Sequence, residues 1–300
     1  MLTAQKGRVK ASGSDRVFYA VMYTIAAAIL AVIIYPLFFI VIASFSGPTA
    51  VANGRVWFWP VEVTLEGYAA LLETPQLWVG YGNTILYTAV GTLIGLLFNI
   101  PAAYALSRKD LYGRRIFNVF FLIVMFFSGG LIPTFLVVRQ LGLYNSFWVM
   151  VLPFSISIYN IIVARTFFEN SIPGELLDAA QVDGCNNLRF FVQIVLPLSK
   201  AIISVIALWT AIGHWNSYFN ALIYLRDSSR HPLQLILRSI LISNQNQFNV
   251  TTGQAALEAI RKANLMRYTS IIVSTLPILC FYPFIQKYFA QGVMIGAVKG

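Results

Sequence analysis

Charge is what this 300-residue chain has least of. Asp, Glu, Lys and Arg make up 11% of it, against 58% apolar residues, where soluble domains run near ~25% charged. So few charges cannot cover a water-soluble globule of this size, and lipid must face much of the surface. Two cysteines rule out a disulfide scaffold and two histidines a zinc site. The chain has no Gly-x-x-x-x-Gly-Lys-Ser/Thr phosphate loop, so any ATP that drives it must bind another chain. The net charge of +10 reads as the basic bias of cytoplasmic loops rather than as a nucleic-acid footprint.

Long apolar stretches are abundant. Six of them reach the roughly 20 helical residues needed to cross a bilayer, at 17–45, 83–106, 116–138, 147–168, 201–225 and 268–290. The first follows Lys6, Arg8, Lys10 and Arg16, as a signal peptide would, but it exceeds the roughly 7–15 residues of a signal core. It is expected to be an uncleaved span.

Acids are missing from the spans. Asp15, Glu62, Glu66, Glu73, Asp110, Glu169, Glu175, Asp178, Asp183, Asp227 and Glu258 all fall outside them. Proton-driven carriers set carboxylates in the bilayer as relays, so a proton-coupled carrier is disfavoured, while sodium coupling through carbonyl ligands stays open. An intramembrane enzyme lacks its groups too: there is no acid pair in the spans and no His-Glu-x-x-His.

The bases set the orientation. The N-terminal segment 1–16 and the short connection with Arg108, Lys109, Arg114 and Arg115 are expected in the cytoplasm. With six spans, both termini and the tail 291–300 follow. The connection 226–267 is then external, and it carries six bases (Arg226, Arg230, Arg238, Arg261, Lys262, Arg267) against Asp227 and Glu258. That excess opposes the positive-inside bias and needs a reason. Docking of an acidic binding protein, an anionic oligosaccharide gripped by Arg226, Arg230 and Arg238, or pairing with anionic lipid would each supply one. Within this connection Leu233, Ile236, Leu237, Ile240 and Leu241 follow the i, i+3, i+4, i+7, i+8 pattern of an amphipathic helix. The other long external connection, 47–81, carries Trp57, Trp59 and Pro60, which suit an interfacial anchor.

The connection 169–200 is expected in the cytoplasm. Pro173 fits a helix start, with Glu175 and Asp178 at the positive end of its dipole. Ala179 and Ala180 favour the helix, and Gly184 can end or bend it. A second short helix can run from near Asn187 to Pro197. The order Asp178-Ala179-Ala180, three residues with Asp183 among them, Gly184, nine residues, Ile194, one residue, Leu196-Pro197 resembles the EAA loop of permease subunits of ATP-binding-cassette importers. Asp178 stands where that motif has Glu, which preserves the charge. The six spans, the place of this loop and the ending Gly292-Val-Met-Ile-Gly-Ala-Val-Lys-Gly300 are similar to the maltose-type carbohydrate permeases. Arg108-Lys109-Asp110 and His214-Trp215-Asn216-Ser217-Tyr218 look nearest to the branch that handles complex oligosaccharides such as alginate.

The resemblance implies an all-α membrane protein with a type I importer permease fold, in which the EAA loop docks a coupling helix onto an ATPase. It implies a cytoplasmic (inner) membrane location, a second permease subunit, two ATP-binding subunits that carry ATP and Mg, and an external solute-binding protein. No cofactor of its own is implied.

Candidates for the path lie on the fifth span: Trp209, His214, Trp215, Asn216, Tyr218 and Asn220. In a continuous helix Asn216 and Asn220 would share a face with Gly213 and Trp209. Aromatic rings and amides suit sugars; the same groups can instead bond helix to helix, and His214 alone reads more readily as packing than as a ligand. Ser128-Gly129-Gly130, Pro133, Asn99, Pro101, Pro153, Ser155, Ser157 and Asn160 are expected to serve close packing and kinks. Arg165, near a span end, is expected to snorkel.

Overall fold

The computed structural model describes residues 13–247, 261, 264–280 and 283. The expectations for 1–12, the C-terminal half of the last span, the tail 291–300, Lys262 and Glu258 lie outside the described residues. The described chain is helical throughout and divides into two compact units.

The first unit takes residues 1–70 and 247–272. Its long helix α1 (Gly13–Ser44) carries apolar side chains outward all round, Tyr23 and Val32 being more than 70% exposed, as lipid-facing helices do. Its C-terminal part packs, where Ile42 meets Ala50 of the short helix α2 (Pro48–Ala52) and Val56. Ser44 Oγ and Tyr68 Oη share a hydrogen bond of 2.8 Å; Tyr68 belongs to α3 (Glu66–Leu72). Arg261 pairs with Glu66 at 3.0 Å.

The second unit takes residues 71–246 and 273–300. Its axis is α4 (Pro75–Ser107). Thirty-three residues span about 50 Å, well over the roughly 30 Å hydrocarbon core. The buried face of α4 is a stripe at helical spacing: Leu77, Gly80, Thr84, Tyr87, Gly91, Gly95, Asn99, Ala103 and Leu106. The stretch expected to span at 116–138 is two helices, α5 (Arg114–Phe126) and α6 (Leu131–Gln140), bent by 114°. Gly130 causes the break: its φ of 85° and ψ of 179° belong to a region open essentially to glycine. The next stretch is α7 (Phe147–Ser155) and α8 (Ile158–Ser171), bent by 42°. Pro153 lies inside α7 and removes a backbone donor from its ladder.

The connection 169–200 contains α9 (Gly174–Val182) and α10 (Asn187–Phe190), a π-turn over Phe191–Val195, and α11 (Leu196–Leu198). An 81° bend at Ser199 leads into α12 (Lys200–Trp215). The expected fifth span is then interrupted at Asn216–Ser217 before α13 (Tyr218–Tyr224). The amphipathic pattern near Leu233 is α14 (Leu233–Gln247). A last helix, α15, occupies 264–280.

Two apolar clusters are strung along α4. One joins Tyr87 to Val149–Val151, Tyr224 and Leu235. The other joins Ile100, Ala103 and Leu106 to Phe168, Ala180, Phe190, Val195 and Ile206. Between them lies a buried polar layer of Asn99, Ser155, Asn160, Thr210 and His214. Lipid tails are as apolar as leucine, so close packing and interhelical hydrogen bonds hold such a bundle rather than the hydrophobic effect.

Candidate functional site

The 169–200 connection is a stiff hairpin on a charged base. Helix α9 ends in a left-handed turn: Gly184 has a φ of 72°. Its N–H donates to the Gln181 carbonyl at 3.0 Å, and the Cys185 N–H donates to the Ala180 carbonyl at 2.8 Å. These are the two bonds of a Schellman C-cap. The next helix starts on Asn186, whose side chain accepts from the Arg189 N–H at 2.8 Å. Of the residues singled out by spacing, Ala180 is buried against the lower cluster, while Asp178, Ala179, Asp183, Gly184 and Pro197 are exposed. Ile194 and Leu196 pack partly against that cluster. At the tip, Val182 and Leu188 are 88% and 72% exposed, an apolar surface the fold leaves uncovered.

The base uses residues that sequence reasoning assigned to orientation, to snorkelling or to the family resemblance. Glu169 accepts from the Arg114 guanidinium and lies 3.3 Å from Arg165 Nε, one helical turn back. That second contact is an ion pair without hydrogen-bond alignment; Arg165 bonds instead to Asn118 Oδ1 at 2.5 Å. Arg114 also donates to the Leu106 carbonyl at 3.0 Å, so one guanidinium joins the end of α4 to the end of α8. Beside it Arg108 grips Asp110 with two bonds (2.7 and 2.5 Å) and donates to Tyr104 Oη at 3.1 Å. These bonds hold the Asp110 carboxyl below its usual range. Tyr104 stacks on Phe191 of the π-turn at 4.9 Å. The i, i+4 spacing of Arg165 and Glu169 was the one sequence signal for this base.

The candidates on the fifth span divide into two groups. His214 and Trp215 are buried. His214 Nε2 lies 3.1 Å from Ser155 Oγ, and Trp215 Nε1 donates to the Ser274 carbonyl of α15 at 3.1 Å. Both act as interior braces. Asn216 and Tyr218 are exposed, and Trp209 and Asn220 are half-buried. Trp209 lies against Tyr159 at 5.6 Å. The helix breaks at 216–217, and Asn216 caps α12, with its side chain on the Ile212 carbonyl.

The basic segment 226–231 is strapped across the Pro75 end of α4. Asn83 Nδ2 donates to the Ser229 and His231 carbonyls, Tyr87 Oη to the Arg230 carbonyl, and Thr84 Oγ1 accepts from the Leu233 N–H. Asn145, in a left-handed conformation with φ 54°, accepts from the Arg226 and Asp227 N–H groups, and its carbonyl takes the Arg230 guanidinium. Ser229 holds the Asp227 carboxyl below its usual range. Arg226, Arg230 and Arg238 are all exposed, but only Arg238 contacts a path candidate: its guanidinium lies over the Tyr218 ring, 5.2 Å from the centroid.

Residues 77–295 match the family described as the binding-protein-dependent transport system inner membrane component. The chain belongs to that family. This permease is thus a multi-pass inner-membrane subunit of a binding-protein-dependent ABC transporter, working with an ATPase and a binding protein. It is not itself an enzyme and carries no cofactor. It is 37% identical to Protein LplC of Bacillus subtilis (strain 168) over 96% of both chains. The polygalacturonan/rhamnogalacturonan transport system permease protein YtcP of the same organism is 36% identical, over 95% of this permease and 99% of that protein. Among solved structures, a chain of a bacterial ABC transporter involved in the import of the acidic polysaccharide alginate superposes with a TM-score of 0.84. Its identity is 33%, over 94% of this permease and 99% of that chain.

Proposed function

We propose that this permease forms part of the membrane path of an oligosaccharide importer whose natural cargo is acidic, a uronate chain. The observation that carries the reading is convergence: relatives of more than 30% identity over nearly the whole chain include one named for polygalacturonan and rhamnogalacturonan and one from an alginate importer. All three polymers carry carboxylates. The exposed arginines of the 226–238 region supply cations of the right chemistry.

In this reading six spans cross the membrane, both termini and the 169–200 hairpin lie in the cytoplasm, and the 226–267 connection faces the binding protein. A second permease completes the path, lipid surrounds the pair, and two ATP-binding subunits with ATP and Mg drive it. The hairpin is the EAA coupling loop. Its capped α9 and its base on Arg114 and Glu169 make it rigid enough to carry nucleotide-driven closure into α4, α8 and α12. The apolar tip at Val182 and Leu188 suits a groove on a partner.

The test is reconstitution of the whole transporter in vesicles with labelled oligogalacturonate and a neutral oligosaccharide of equal length. ATP-dependent uptake that favours the acidic chain is expected. Uptake that persists without ATP, on an ion gradient, would support an ion-coupled carrier instead. For the hairpin, a cysteine at Val182 should cross-link to the ATPase, and its failure to do so across a range of linker lengths would remove the coupling role.

A further inference from the structure

Two residues from different sequence classes, a path aromatic and an external arginine, meet in the fold. We propose that Arg238, held on the face of Tyr218, is a carboxylate-binding site for the uronate units of the cargo at the outer mouth of the path. This rests on the acidic-oligosaccharide reading above and assigns that specificity to a single cation.

Of the neighbouring arginines, Arg230 is already occupied. Arg230 is tied to Asn145 and lies 3.7 Å from Asp227. Arg226 is exposed, on a segment whose backbone Asn145 holds. Arg238 has no carboxylate within ion-pair distance among the described residues, and its guanidinium lies over the tyrosine ring. A guanidinium stacked on an aromatic face uses its flat side and leaves its N–H edge free for two parallel bonds to a carboxylate. Stacking also fixes a long side chain in advance, which lowers the entropy lost on binding.

The surroundings suit a sugar better than a lipid headgroup. Tyr218 is 40% exposed, and its hydroxyl has no hydrogen-bond partner among the described residues. Asn216, two residues away, spends one amide N–H on the Ile212 carbonyl, and its carbonyl oxygen and second N–H have no hydrogen-bond partner among the described residues. One helical turn before Ser217, Gly213 has open space where a side chain would stand. Phenol and guanidinium together match a hydroxyl and the carboxylate of a uronate ring. A phosphate headgroup would need only the cation.

The pair is also anchored. The Leu233 N–H of α14 bonds to Thr84 of α4 at 2.8 Å, and Ile236 packs on Gly80 so closely that a Cβ there would fall 2.6 Å from its Cδ1. Arg238 projects from the following turn toward the start of α13, at the end of the unit where the 226–231 strap lies.

The experiment uses the complete transporter in vesicles with saturating binding protein. It compares uptake of labelled trigalacturonate with that of its methyl ester in wild type and in Arg238→Gln, Arg238→Lys and Tyr218→Ala. Arg238→Gln should lower the acid-to-ester uptake ratio about ten-fold or more, the size of a charge-assisted pair. Lysine should restore part of it, and Tyr218→Ala should lower it by less than the glutamine change. Equal uptake ratios in wild type and Arg238→Gln would overturn the proposal while leaving the acidic-cargo reading intact. A wild type that imports neutral oligosaccharides and no uronate would overturn both. Repeating the series in vesicles of zwitterionic lipid alone separates the remaining source of anions: if the effect of Arg238→Gln disappears there, Arg238 acts through net-anionic lipid headgroups and the proposal fails.

Discussion

Asn99 bridges the break between α7 and α8 through Ser155 and Ser157: its Nδ2 donates to the Ser155 carbonyl at 3.0 Å and its Oδ1 accepts from the Ser157 N–H at 3.1 Å. A fully buried amide thus supplies both bonds that the interrupted ladder lacks. Asn99→Leu would orphan a buried carbonyl and a partly buried N–H. The expected loss of stability is about 1–3 kcal/mol in total, less than a water-soluble core would lose, because helices unfolded within lipid find other partners. The thermal midpoint of the purified transporter should fall, with a larger loss of uptake than of assembly. An unchanged midpoint would show that the break holds itself.

The contact between Gly91 and His214 allows a sharper test. A Cβ at Gly91 would fall 2.3 Å from His214 Nε2, so Gly91→Ala must push the ring off Ser155. Overpacking of this kind costs about 1–3 kcal/mol. In a His214→Ala background the same change should cost little, because the ring is gone. Thermal midpoints of the four proteins form the cycle; additive losses would mean that the helices move apart instead.

Much of this architecture is legible in the sequence, and the parts that are not share a physical cause. Hydropathy finds the helical stretches because lipid demands long apolar runs, and Gly184, Asn186 and the small pair Ala179-Ala180 mark the hairpin because helix ends need particular residues. The interruptions are harder. Pro153 and Ser128-Gly129-Gly130 flag two of them, but whether an apolar run bends by 42° or 114° is decided by the partner that takes up the freed backbone groups. For α7 and α8 that partner is Asn99, more than fifty residues away in sequence. The break at 216–217 has no Gly or Pro at those positions to announce it, so the fifth span reads as one continuous helix. The Arg114–Glu169 pair and the meeting of Arg238 with Tyr218 are likewise products of tertiary structure that local spacing does not encode.

Acid should loosen the 226–231 strap. Burial holds the His231 imidazole below its usual range, and Ser229 holds the Asp227 carboxyl below its own. A depressed folded-state pKa contributes stability that is fully present above the unfolded value and is lost as pH falls through the folded one. For His231 the loss begins near pH ~6.5, and for Asp227 near ~3.9. Between pH 7 and 5, of these two groups, the histidine therefore acts on the strap. The thermal midpoint should decline over that window in wild type and decline less in His231→Gln. Parallel declines in the two proteins would assign the effect to other groups.

Gly184 sets the geometry of the hairpin tip, and two substitutions there separate backbone shape from side-chain bulk. Nothing lies within 4 Å of a Cβ built on Gly184, so steric contact within this chain is not at stake. Its φ of 72° is. A β-branched residue in the left-handed region is a steric outlier costing about 1–3 kcal/mol, whereas asparagine visits that region with little penalty. Gly184→Val should therefore relax the turn, break the Cys185-to-Ala180 bond and reorient α10 with its exposed Leu188. The spans do not depend on this turn, so insertion and yield should be normal. If the hairpin couples ATP hydrolysis to transport, Gly184→Val should cut uptake at least several-fold while hydrolysis loses its stimulation by the binding protein, and Gly184→Asn should retain most of both. Equal defects in the two variants would point to bulk at the partner surface rather than backbone strain. Full transport by Gly184→Val would remove the capped turn from the mechanism.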